Sequence, residues 1–161
     1  MSSNKFNKES IPPQFKCAEC ILLIAERDKG KAINNYIRNS FRKNYTGKFE
    51  MATQEEIESN PKYQDNKIYR FILSDRTWTS GGTTMVNKVT QNYTTGPNNS
   101  NPSLTGTTST TDFKYDYKYS MDFNIYDRFE EKGYPSIGAS SNVPAKAINR
   151  TSVLLNKILT N

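Results

Sequence analysis

The chain has 161 residues, 34% of them hydrophobic, a formal charge of +6 and no histidine, with a mean hydropathy of −0.80. That length fits one domain with a genuine core, and 10 tyrosines with 8 phenylalanines supply apolar area that a disordered chain lacks. The missing histidine excludes Ser-His-Asp and Cys-His catalysis and most transition-metal sites, and no apolar run approaches the ~20 residues of a membrane-spanning helix.

Residues 1–16 read as a flexible leader, with Pro12-Pro13 setting an extended exit. The opening Met1-Ser2-Ser3-Asn4-Lys5 has no apolar h-region. The expectation is an exported protein whose leader is missing here; an intracellular protein is the alternative. Residues 17–161 then form a single α+β domain.

Residues 20–25 form a short apolar run of strand length, read as a buried strand. Over residues 29–43, Ile33, Ile37 and Phe41 recur at helical spacing beside Ala32 and Tyr36, with Asp28 as candidate N-cap. Gly47 suits a left-handed stop, and residues 48–52 make a second strand. Thr53-Gln54-Glu55-Glu56 is a capping box that opens a short helix ahead of Pro61.

Residues 67–80 predict a strand, with Tyr69, Phe71 and Leu73 on one face and Ile68 and Ile72 on the other. The clearest pattern lies in residues 113–125. Phe113, Tyr115, Tyr117, Tyr119, Met121, Phe123 and Ile125 alternate there with Lys114, Asp116, Lys118, Ser120, Asp122 and Asn124, the signature of a long antiparallel strand. The mixed signs of Lys114, Asp116, Lys118 and Asp122 suit cross-strand pairing and discourage edge aggregation. Between these strands, residues 84–93 can extend the hairpin, and the Thr/Asn/Ser-rich residues 94–111 read as a disordered tip, either functional or mobile. Pro144 starts a last amphipathic helix carrying Ala147, Ile148, Leu154, Leu155 and Ile158. The order β-α-β-α-β-β-α gives a mixed four- to five-stranded sheet with helices packed on one face.

Chemistry-bearing spacings are few. Cys17-Ala18-Glu19-Cys20 precedes a strand, so it lacks the helix N-terminus that activates a redox pair. Two cysteines without histidine fall short of a zinc site. A local disulfide or two inert thiols is the expectation. Glu26, Asp28, Glu50, Asp75 and Asp127 fall near element ends, with no spacing that pairs them for acid–base work. Ser80-Gly81-Gly82-Thr83 lacks the ending of a phosphate loop. No enzyme activity and no cofactor are expected. Lys31, Arg38, Arg42 and Lys43, flanked by Arg27, Lys29 and Lys48, are the candidate contacts for a partner or polyanion.

The strand at residues 21–24, the helix through Ile37, the strand at 48–52, the capped helix at Thr53 and the hairpin ending in a helix together resemble the amino-terminal domain of the periplasmic protein TolB. Accessory domains of bacterial envelope lipoproteins are similar. The resemblance spans residues 18–160, is one of element order, and carries over no functional residue. It implies a non-catalytic adaptor with a protein partner in the cell envelope. The alternative is a small intracellular nucleic-acid-binding protein using the basic helix 29–43.

Overall fold

In β1 (Leu22–Glu26), alternate side chains go to opposite sides of the sheet, as a strand's period of two requires. Leu22 and Ile24 join one buried cluster and Leu23 joins another. A strand buried on both faces has no wet positions, which is why its sequence is a continuous apolar run. The structure, a computed structural model, describes residues 7–94 and 103–161.

The five-stranded mixed sheet has the order β2-β1-β3-β4-β5. β1 pairs in parallel with β2 (Phe49–Thr53) and with β3 (Phe71–Thr94). β4 (Ser103–Asp127) pairs antiparallel with the two-residue β5 (Lys132–Gly133). The mixed α+β class read from the sequence is the one observed.

The helices divide between the two faces, a correction to the one-face expectation. α1 (Lys31–Asn44) and α3 (Pro144–Thr160) supply Ile37, Phe41, Ala147, Ile148 and Leu155 to the larger cluster, against Phe71, Leu73, Met121, Phe123 and Ile125. The short α2 (Gln54–Ser59) and the 3-10 turn Pro61–Gln64 cover the opposite face through Ile57 and Tyr63, against Leu23, Ala52 and Ile72. Sequence periodicity shows that a helix has an apolar stripe, and it leaves open which side of the sheet receives it.

Several local expectations change. Residues 7–16 are packed: Ser10 is fully buried and donates to the Ser136 carbonyl at 2.6 Å, and the Phe15 ring lies 5.5 Å from that of Phe71. The N-cap of α1 is Gly30, with no side-chain cap, so Asp28 does not cap it. Gly47 lacks a positive φ. It is needed because a Cβ there would stand 2.6 Å from the Tyr45 ring. Tyr69 joins the cluster of Ile72 rather than that of Phe71, because the chain turns before β3 begins. The Thr53 capping box forms as read, Glu56 N–H donating to Thr53 Oγ1 at 3.2 Å and Thr53 N–H to Glu56 Oε2 at 2.8 Å.

The largest correction concerns residues 94–111. β3 runs to Thr94 and β4 starts at Ser103, so residues 103–111 are strand; residues 95–102 lie outside the described residues. Threonine is β-branched and favours extended backbone. Residues 107–111 are all exposed, so they show no apolar alternation and their polarity hides their strand character.

The chain forms two compact units, one of the residues up to Trp78 with Tyr119–Asn161, the other Thr79–Lys118. Among the described residues, every member of both buried clusters belongs to the first unit.

Candidate functional site

Cys17 and Cys20 form a disulfide. It closes the turn into β1, in which the Cys20 amide donates to the Cys17 carbonyl at 3.2 Å. A mostly apolar cavity of about 200 Å³ opens beside it, lined by Phe15, Leu22, Tyr45, Phe71 and Leu159 as well as the cystine. Burial pushes the Tyr45 hydroxyl up to about 12, so it is neutral throughout the physiological range.

The basic residues named from the sequence do not form one site. Lys31 and Arg38 line a cleft of about 390 Å³ at the carboxyl ends of β1 and β2, with Glu26, Asp28, Asn34 and Thr53. Arg42 and Lys43 are exposed one or more turns further along α1 and take no part in its lining. The cleft's charge is largely matched. Arg38 donates to Glu26 at 2.8 Å and to Asn35 at 3.1 Å, and Arg27 is held by Asp75. Buried Asn34 pins the β1–α1 loop from both sides, accepting from the Arg27 amide at 3.1 Å and donating to the Arg27 carbonyl at 2.9 Å. These contacts order the loop and leave a polar, near-neutral crevice.

The carboxylates are distributed to separate structural duties. Glu50 accepts from Lys62 at 2.6 Å and from the hydroxyls of Tyr69 and Tyr63 at 3.2 and 3.4 Å, which ties the Pro61–Gln64 turn to β2. Fully buried Asp127 takes Arg70 through Nε at 3.0 Å and Nη2 at 2.8 Å, and also accepts from the Phe129 and Glu130 amides. Burial pushes the Asp127 carboxyl up, and the Arg70 guanidinium with the two amides outweighs it, so the carboxyl lies below its ordinary value. A carboxylate held ionised in this way orients a turn and does not shuttle protons at neutral pH. Asp28 is exposed at the cleft rim. Among the described residues, no three His, Cys, Asp or Glu side chains form a group able to hold a metal.

The second unit has a different character. Residues 87–92 and 107–111 are all exposed, so both faces of this ladder are wet there. Thr111 donates to Asn87 at 3.1 Å and Asn92 to Thr108 at 3.1 Å, rungs of polar side chains across the two strands. Met85 is 60% exposed and Val89 63% exposed, the most exposed large apolar side chains among the described residues. Four residues apart on one strand, they share a face. The sequence reading passed over both. Their spacing within a threonine-rich run was the available signal.

No family model matches the sequence, and no curated protein matches it. Among solved structures, the chain is similar to a chain of the PelC dodecamer from Paraburkholderia phytofirmans. The two are 13% identical with a TM-score of 0.40, over 86% of this chain and 88% of that chain.

Proposed function

We propose that this chain is a non-catalytic binding module, exported and associated with the cell envelope, that engages a protein partner through the ribbon Thr79–Lys118. The observation that carries this reading is that residues 87–92 and 107–111 of the ribbon are all exposed, so the two strands are wet on both faces there. A wet two-stranded ribbon is at best marginally stable by itself, so folding gives no reason to keep one of this length. Contact with something else does, and Met85 and Val89 provide apolar anchors on one of its faces.

The export half of the reading is supported by the Cys17–Cys20 disulfide, because disulfides persist in oxidising compartments and are rare in the cytosol. No helix among the described residues is long and apolar enough to cross a membrane. Fractionation of cells expressing the native gene, with intact mass on the recovered protein, tests this half. An envelope product with both cysteines oxidised is expected. A cytosolic product with two free thiols contradicts it and turns attention to the exposed Lys31, Arg42 and Lys43 as a polyanion surface. In that case affinity for nucleic acid should fall log-linearly with salt.

A further inference from the structure

The hydrogen-bonding polarity of β4 leaves an open edge whose sequence is complementary to itself. On the outer side of β4, the Met121 amide donates to the Ser141 carbonyl at 2.9 Å, the Ile137 amide to Phe123 at 2.9 Å and the Tyr134 amide to Ile125 at 2.9 Å. The odd-numbered residues therefore turn their backbone groups away from β3. The even-numbered Arg128, by contrast, donates to the Arg70 carbonyl at 2.8 Å on the β3 side. In an antiparallel ladder this alternation continues along the strand. Asn87 and Thr111 meet across the ribbon with the same offset as Arg70 and Arg128. Residues 113, 115 and 117 thus present their N–H and C=O groups at the outer edge. Among the described residues, β5 pairs with β4 only at Tyr126 and Asp127, and no strand covers that edge in the ribbon.

The run Asp112-Phe113-Lys114-Tyr115-Asp116-Tyr117-Lys118 reads as opposite charges against its own reverse. Antiparallel pairing about Tyr115 puts Asp112 opposite Lys118 and Lys114 opposite Asp116, each twice by symmetry. It also puts Phe113 opposite Tyr117 and Tyr115 opposite its own copy. The polarity agrees: odd residues become the hydrogen-bonded pairs, and the charged residues fall at the closer, non-hydrogen-bonded positions.

We infer that two copies of this chain associate by antiparallel pairing of their β4 edges about Tyr115, an isologous contact that joins two ribbons into one four-stranded sheet. It uses the backbone edge of β4 and stands whether or not the Met85–Val89 face takes another protein. The test is sedimentation velocity on the full chain over a concentration series. Wild type is expected to show a concentration-dependent dimer. The all-acidic variant Lys114→Asp/Lys118→Asp and the all-basic variant Asp112→Lys/Asp116→Lys are each expected to lose it. An equimolar mixture of the two should regain it as a heterodimer, which a mere folding defect would not do. Tyr115→Pro removes an outward amide without touching the β3 ladder, and is expected to abolish the dimer with the circular dichroism spectrum kept. A monomeric wild type overturns the inference and leaves the edge for a different protein's strand. So does a mixture that stays monomeric, or a Tyr115→Pro protein that is folded and still dimeric.

Discussion

Gly47 shows how a single position serves the fold. Its missing side chain makes room for the Tyr45 ring, which packs against Phe41 and Phe49 at ring distances of 5.7 and 6.4 Å. Gly47→Ala is expected to cost about 1–3 kcal/mol by overpacking, read from chemical denaturation midpoints. Two aspartates on β4 carry opposite pH signatures. Burial raises the Asp122 carboxyl against hydrogen bonds from the Phe123 and Gly138 amides. A raised folded value means stability that is present at low pH and lost as pH rises through that value. Asp122→Asn is therefore expected to raise the melting temperature at pH 7, with the gain vanishing below about pH 4, where the unfolded carboxyl is protonated. Asp127 is the reverse, its lowered value giving stability that is lost as pH falls through it. Asp127→Asn is expected to cost about 3 kcal/mol at neutral pH by leaving Arg70 only its 3.6 Å contact with Glu130 and to flatten the acid limb of the stability profile. Neither shift was legible in the sequence, since each depends on neighbours distant along the chain. The Thr53–Glu56 capping box was legible because both partners lie within one turn.

Elements with a strict apolar period were readable to within a few residues. α1, α3 and the 121–125 part of β4 follow their spacing, because burial on one side is what writes the period into the sequence. What escaped were contacts between elements. α1 and α3 meet along a polar seam: Ser40 donates to Asn149 at 2.6 Å and lies 3.0 Å from Ser152, and Asn44 donates to Ser152 at 3.0 Å. Ser40 and Ser152 are buried, so removing either hydroxyl leaves its partners unsatisfied. A double-mutant cycle with Ser40→Ala and Ser152→Ala is expected to return a coupling of about 1 kcal/mol, and strict additivity would contradict the seam. The disulfide closes a short loop, so its loss costs less than that of a long-range bridge. Replacing both cysteines by serine is expected to lower stability by about 2 kcal/mol and to leave the fold intact by circular dichroism.

For the whole molecule, both cores belong to one unit and the ribbon to the other. The sequence announced the first through its apolar periods. It concealed much of the second, because residues 87–92 and 107–111 are exposed on both faces and print no apolar pattern. Replacing residues 79–119 by an Asn-Gly turn sets Trp78 opposite Ser120, the offset of Arg70 and Arg128 carried along the strands, and supplies the residues a two-residue hairpin needs. The shortened chain is expected to unfold cooperatively near the wild-type temperature. The measurement that bears most directly on the central claim is photo-crosslinking in cells, with the reactive side chain placed at position 85 or 89 and, as control, at Val153, an exposed position on α3. The account predicts a discrete envelope protein captured from 85 and 89, absent from 153, and lost when the opposite site on the partner is mutated. Capture from 153 alone, or no adduct from the ribbon at any expression level, would contradict a binding role for it.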